Sequence, residues 1–435
     1  MRVIVCTWDC PDGVAGPGAW ERRIAQFSIS KGDQVHVLSF SPVHDATAGS
    51  NYKFFRGTSI GVKSLSLCSM RAQVKWTLEQ VAEYRPDVVI ASNVIAAHYA
   101  ARWISRAGIP VVSVIHSDES FYSKIIRNFF AGAAEHKVQG AIVVSKLLED
   151  RVRGLSCEGL RIARIPCGAP VSALVAREAR ESFRLIYVGR INQRQKRVLD
   201  VARAMAKACD QCAGVEAIMV GDGLQERELH HLLSTVPGGS KVNYKGRIPL
   251  EEVQELMSSC HAYVLLSEYE GAPIALMEAM AVGLVPLVSD IQSGVPELVI
   301  DSVTGFYTPE RDEDFVRAVN LLRSNPDVWN RMSAAARQQI HDNFESQKCL
   351  SKVRQFLAKL VYENGRSDAP RRVAFQVPSV IEFRGVKLTE SWVDPSMVSF
   401  PASLVPAVTT YLWKVWDRLP WSLRRTVKSI AKKGW

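Results

Sequence analysis

Short β-branched and apolar runs alternate along this chain with longer stretches whose apolar positions recur every three or four residues. Such a pattern predicts parallel strands joined by helices. Before residue 150, RVIVCTW, QVHVLSF, PDVVIASN, IPVVSVIH and GAIVVSK read as five strands, with AWERRIAQFSISKG and AAHYAARWISRAG as helices between them. The pattern stops at GLRIARIPCGAPVSALVAREARES, where Pro166, Gly168 and Pro170 break any period, and this segment reads as a linker. A second set then starts, with FRLIYVGR, VEAIMVGDG, VNYKGRI, AYVLLSEY and LVPLVSD as strands. KRVLDVARAMAKACDQ and PLEEVQELMSSC are among the helices that separate them. From DEDFVRAVNLLRS the helical period continues to about Asn364, and from Arg366 to Pro406 five prolines interrupt a chain without strong period.

The fold class expected is α/β, with two doubly wound Rossmann-like domains facing across a cleft. Residues 1–168 form the first domain and 169–345 the second. A closing helix over 346–365 returns to the first, and 366–435 is an irregular basic, Trp-rich tail. Doubly wound sheets bind ligands at the carboxyl ends of their strands, so function is expected in the loops that follow strands. A length of 435 residues at 47% hydrophobic suits two cores rather than one.

The net charge of +10 changes little in this picture once it is divided along the sequence. The last 70 residues hold 12 Lys/Arg against 5 Asp/Glu, which leaves about +3 for residues 1–365. The basic character belongs to the tail and not to a groove, so nucleic acid is not expected as a partner. Nine cysteines, an odd number without paired spacing, suit a reducing compartment. Cys209 and Cys212 form a lone CxxC inside a helical run with no second Cys or His pair nearby, which favours packing over a metal site, and no metal is assigned. The N-terminus opens directly into a strand and no run of eighteen apolar residues occurs, so a soluble, cytoplasmic protein is expected.

Candidate chemistry concentrates in AYVLLSEYEGAPIALMEAMAVG. A buried strand ends near Ser267, a loop carries Glu270 and Gly271, and Pro273 stands where the first helical position prefers proline. Glu278 then lies roughly 7.5 Å further along the helix axis. Between the two glutamates sit unpaired backbone N–H groups and the positive end of the helix dipole, a seat for an anion such as a phosphate. Two glutamates in so apolar a run need partners, so either water reaches both carboxylates or a bound ligand does. Taken alone, the pair also fits two solvated carboxylates on a helix face, and Arg190 and Lys196 taken alone fit surface charges.

The Glu, seven residues, Glu pattern of Glu270 and Glu278 resembles that of retaining GT-B glycosyltransferases, especially the large family 4 (glycosyltransferase group 1), and the similarity extends over about residues 1–345. VGRINQRQKRVLD resembles the family's donor-phosphate segment, which implies that Arg190 and Lys196 clamp the diphosphate, with Gly189 a donor-binding residue beside them. One residue departs from the pattern, since a glycine commonly follows that lysine and here Arg197 does. MVGDG, with Gly221 and Gly223, looks like the glycine turn beside the nucleotide base, and these two are first of all turn glycines. VAGPGAWERR resembles the glycine-rich loop of the first domain, with Gly16, Pro17 and Gly18 replacing a Gly-Gly pair. His116, directly after a strand, matches a histidine that often contacts the donor sugar, and alone it reads as a hydrogen-bonded strand-end residue.

The resemblance implies GT-B architecture and transfer of a sugar from a nucleotide-sugar donor to a glycan or lipid-linked acceptor in cell-surface polysaccharide biosynthesis, with no cofactor and no obligatory metal. Catalytic roles fall on His116, Glu270, Arg190 and Lys196. Donor binding falls on Gly16, Gly18, Gly189, Arg190, Lys196, Gly221, Gly223, Glu270, Gly271, Ala272, Pro273, Ile274 and Glu278. A sugar-nucleotide epimerase or phosphorylase of the same fold, or a silent scaffold subunit, are the alternatives. Residues 409–435 carry four tryptophans and seven basic residues against Asp417. That composition fits an anionic membrane surface at the inner face of the cell membrane, or equally a tail docked on the first domain.

Overall fold

A computed structural model describes residues 1–9, 16–42, 45, 47–66, 68–132, 136–155, 157–179, 182–308, 312–365 and 377–378. Among these, thirteen strands form two wholly parallel sheets. The first comprises β1 (Arg2–Trp8), β2 (Gln34–Phe40), β3 (Gly61–Leu65), β4 (Val88–Ser92), β5 (Val111–Ile115), β6 (Gly140–Val143) and β7 (Arg161–Arg164), in the order β3-β2-β1-β4-β5-β6-β7. The second comprises β8 (Phe183–Val188), β9 (Val215–Val220), β10 (Val242–Tyr244), β11 (Ala262–Leu265), β12 (Val285–Val288) and β13 (Phe306–Tyr307), in the order β10-β9-β8-β11-β12-β13. Strand order reverses between β1 and β4 in one sheet and between β8 and β11 in the other, and a crevice opens at such points beyond the strand ends.

The central strands are continuous apolar runs because helices cover both faces. Val88 to Ser92 and Val111 to Ile115 are buried throughout. The edges behave differently, and here the sequence reading needs correction. Gly61–Leu65 and Arg161–Arg164 are strands, the second lying inside the stretch read as linker. GVKSL and RIAR carry charges because an edge strand is only part covered, and the same charges hide the apolar period. The two-residue β13 is too short to leave any pattern.

The chain crosses between the sheets twice, and the crossings lie side by side. Ala169 N–H donates to the Phe344 carbonyl (2.9 Å) and Ser346 N–H to the Ala169 carbonyl (2.8 Å). Gly168 makes this approach possible: its φ is +70°, and a Cβ would fall 2.9 Å from Ser346 Cα. The helix Ser346–Gly365 then lies along the first sheet's helices, where Arg354 donates to both carboxylate oxygens of Asp33 at 2.7 and 3.0 Å. No helix among the described residues is long and apolar enough to cross a membrane. The tail segment 409–435 lies outside the described residues.

Candidate functional site

The loop after β8 and the loop after β11 flank the reversal point of the second sheet and are stitched together across it. Glu268 N–H donates to the Gln195 carbonyl at 2.8 Å, and Gln195 Nε2 to the Tyr269 carbonyl at 3.4 Å. Arg190, half-buried past the end of β8, donates to Gln195 Oε1. Lys196 closes the connection with its Nζ 2.6 Å from Glu270 Oε1, while Glu270 is only 5% exposed.

The segment carrying Lys196 is the short helix Gln193–Lys196, capped by the Asn192 side chain. Arg197 then turns the chain with φ 54° and ψ 37° into the helix Val198–Gln211. This is the left-handed region glycine enters freely, which explains why a glycine is the expected residue there. Arg197 adopts it nonetheless, buried and ion-paired to Asp200. The turn glycines are likewise under close constraint. Gly221 has φ 133°, and a Cβ there would lie 1.9 Å from the Gly189 carbonyl oxygen. At Gly223 (φ 156°) a Cβ would reach the Ile191 carbonyl oxygen at 2.5 Å.

Pro273 sits one position earlier than the sequence suggests: it is the N-cap, and the helix runs Ile274–Ala281. Its first-turn amides have no intrahelical acceptor. The glycine helix of the first sheet, Gly16–Ser30, faces it: Gly16 lies against Ile274 Cδ1, and Gly18 is buried. Two turns after Gly16, on the same face, Arg23 pairs with Glu278 Oε1 and donates through Nη1 to the Gly168 carbonyl at 3.1 Å. Burial raises the Glu278 carboxyl above its usual range, and Arg23 opposes the rise. Each glutamate therefore already has a cationic partner within the chain, in place of the water or bound ligand that the sequence called for.

His116, at the end of β5, reaches the same place. Its carbonyl is so close to Gly271 that a Cβ on the glycine would fall 1.9 Å away, and Gly294 N–H donates to the Gly271 carbonyl at 2.6 Å. The imidazole stands edge-on to Trp20, ring centres 5.5 Å apart, and burial lowers its pKa to about 3, so it is neutral in the physiological range. Nδ1 faces the Cys167 thiol at 3.7 Å, which burial keeps protonated by pushing its pKa to about 12. A thiol donating to Nδ1 leaves the ring proton on Nε2. His116 Nε2, Ser117 Oγ, Tyr122 Oη, Asn93 Oδ1 and Ser267 Oγ are all buried with no hydrogen-bond partner among the described residues. Buried polar atoms that lack partners are the kind a hydroxyl-rich ligand satisfies.

The candidates named from the sequence lie in the loops after these strands or in the helices that follow them, with Lys196 the last residue of Gln193–Lys196 and Glu278 inside Ile274–Ala281. Arg23, Gln195 and Glu21 were missed. Glu21 is fully buried, accepts from Ser92 Oγ, and has its pKa raised to about 8 by burial. The available signal was its spacing, which puts it on the same face as Ile24, Ala25 and Ser28. Cys209 and Cys212 are buried free thiols, and among the described residues no group of three or more His, Cys, Asp or Glu converges as a metal site.

Comparison with known proteins adds family information to this geometry. Residues 21–173 match the family described as Glycosyltransferase Family 4, and residues 175–339 the family described as Glycosyl transferases group 1. The glycogen synthase of Mycobacterium tuberculosis is 25% identical over 391 residues, covering 80% of this chain and 92% of the relative. The lipopolysaccharide 1,6-galactosyltransferase of Escherichia coli is 27% identical over 263 residues, 58% of this chain and 68% of that protein. Among solved structures, Anabaena HepE in complex with UDP-glucose superposes with a TM-score of 0.65 at 16% identity, over 82% of this chain and 100% of that one. The pneumococcal O-GlcNAc transferase GtfA with UDP and GlcNAc gives 0.67 at 12%, over 83% and 99%. At those identities the likeness shows the fold.

Proposed function

Since both halves of the chain belong to the family 4 and group 1 glycosyltransferases, with the GT-B fold, we propose that it is a retaining, metal-independent hexosyltransferase. It takes a nucleotide-sugar donor and a glycan or lipid-linked acceptor in cell-surface polysaccharide synthesis. The observation that carries this reading is the convergence of Arg190, Lys196, the open first turn of Ile274–Ala281, and two carboxylates around one reversal point. A diphosphate needs the cations and amides, and sugar and ribose hydroxyls need the carboxylates.

Catalysis in this reading comes from neutralising the charge that grows on the departing nucleoside diphosphate, while the acceptor hydroxyl attacks from the same face. Arg190 and Lys196 supply that charge, so no metal is called for. The neutral His116 offers Nε2–H to a sugar hydroxyl, and Glu270 accepts from another. Relatives support the biological setting, because they include a lipopolysaccharide galactosyltransferase and a putative colanic acid biosynthesis glycosyltransferase. The tail 409–435 would hold the enzyme at an anionic inner membrane face, near a lipid-linked acceptor.

A thermal-shift screen against UDP-, GDP-, ADP- and dTDP-sugars tests the donor class, and nuclear magnetic resonance of the product's anomeric centre tests retention. Stabilisation by none of these donors, or an inverted anomer, overturns the corresponding part.

A further inference from the structure

Arg23 belongs to the first sheet's glycine helix, yet its guanidinium lies on Glu278, a residue of the opposing helix Ile274–Ala281. The same guanidinium donates to the carbonyl of Gly168, the residue at the first chain crossing, 3.1 Å away. That crossing is hydrogen-bonded to the second one through Ala169, Phe344 and Ser346. The two ends of the ion pair are 16% and 12% exposed, so solvent screens it only in part. One side chain therefore spans the carboxylate assigned to the donor ribose and the backbone where the chain passes between the two sheets.

We infer that Arg23 is a latch between the lobes: it holds Glu278 and the Gly168 carbonyl together, and a ligand's ribose diol must displace it from Glu278, which frees the crossing to move. This rests on the reading of Glu278 as the ribose acceptor. The chemistry is a simple exchange of acceptors. Glu278 trades a guanidinium for two hydroxyl donors, and Arg23 is left held only at the crossing. A guanidinium suits this task because its fork makes two separate contacts at once, which a lysine ammonium on a flexible stem does not reproduce. Donor binding in such an arrangement reports its own occupancy to the hinge, since a ligand shifts a conformational equilibrium by whatever it gains in one state over the other.

The test uses the full chain and Arg23→Gln and Arg23→Lys variants. Titration calorimetry measures UDP against 2′,3′-dideoxy-UDP, with ADP and GDP pairs as alternatives, and amide exchange is followed without nucleotide. Arg23→Gln should bind UDP about three- to tenfold tighter and the dideoxy analogue unchanged, and exchange in 165–169 and 343–347 should speed up. Arg23→Lys keeps the charge for Glu278 but not the second arm, so it should leave UDP affinity near wild type and speed only the exchange. Equal weakening of both nucleotides by Arg23→Gln would make Arg23 a phosphate ligand and overturn the latch. Unchanged exchange in both variants would overturn it too. If the wild type binds no nucleotide, the proposed function falls and the latch with it, whereas nucleotide binding with unchanged exchange overturns the latch alone.

Discussion

Lys196 Nζ lies 2.6 Å from Glu270 Oε1, so the cation expected at the diphosphate and the carboxylate expected at the donor sugar are each other's counter-charge. The two residues come from loops after β8 and β11, 74 positions apart in the chain. Each neutralises the other at low solvent exposure, 15% and 6% for the side chains. A ligand entering here meets a preformed zwitterion instead of an isolated charge, and such preorganisation avoids reordering the site at the moment of reaction.

Lys196→Ala is therefore expected to cost stability as well as activity. It leaves Glu270 buried without its cation, and breaking a buried pair from one side costs about 3 kcal/mol. Arg190→Ala, whose partner is the neutral Gln195, should unfold at nearly the wild-type temperature and still lose roughly tenfold to a hundredfold in turnover. Calorimetric melting alongside initial rates separates the two. If Lys196→Ala melts like wild type, the pair has no structural weight, and if both variants turn over normally, the donor assignment is wrong.

Gly271→Ala should separate the two lobes' loops. Its Cβ would meet the His116 carbonyl oxygen at 1.9 Å and the Ser117 Cα at 3.0 Å, and both are backbone atoms that cannot swing aside. Overpacking of this kind costs about 1 to 3 kcal/mol and moves His116 away from Glu270. Activity should fall well beyond the change in melting temperature, and full activity would mean that the close approach is irrelevant to the reaction.

The sequence made the central strands and the Glu270 loop readable because both are local. RVIVCTW and FRLIYVGR declare buried parallel strands by composition, and the resemblance of EGAPIALMEAM supplied the rest. Edge strands β3 and β7 escaped because half-covered strands keep their charges. Arg23 escaped for a different reason: its partner Glu278 is 255 residues away, and no periodicity encodes a contact made across a cleft. Arg197 is the intermediate case, visible as a departure from a family pattern and understood only through its φ of 54°.

Glu278→Ala is expected to raise the donor KM, since contacts to a ribose persist similarly in ground and transition states. Glu270→Ala should instead lower kcat by misplacing the sugar. Steady-state rates over a range of donor concentration check this, and the opposite pattern would place the sugar and ribose at the other ends of the site.

Vesicle sedimentation addresses residues 409–435. Seven basic residues at about 1 kcal/mol each near an anionic leaflet predict binding of the full chain at low salt and loss of binding for a chain ending at Pro406. Equal behaviour of the two chains, bound or unbound, removes the membrane role.

Glu21 gives the stability a dependence on alkaline pH. Burial raises its pKa from 4.5 to about 8, so the native state keeps a proton that the unfolded chain releases above about pH 4.5. Stability contributed by that proton is present below the unfolded value and lost as pH rises through the folded one, at about 1 kcal/mol per pH unit. The buried histidines act with the opposite sign. His116, lowered to about 3, and His98 and His261, lowered to about 4, stay neutral in the fold while the unfolded chain takes up protons below pH 6.5. Their cost appears on the acid side and is gone above pH 6.5. Between pH 6.5 and 8 Glu21 is left as a dominant group, and Glu278, whose carboxyl burial also raises, contributes with the same sign. Glu21→Gln keeps an acceptor for Ser92 Oγ but has no proton to lose. The melting temperature of Glu21→Gln relative to wild type should accordingly climb from pH 5.5 to pH 8.5, and a difference that stays flat across that range would mean that Glu21 is charged in the fold.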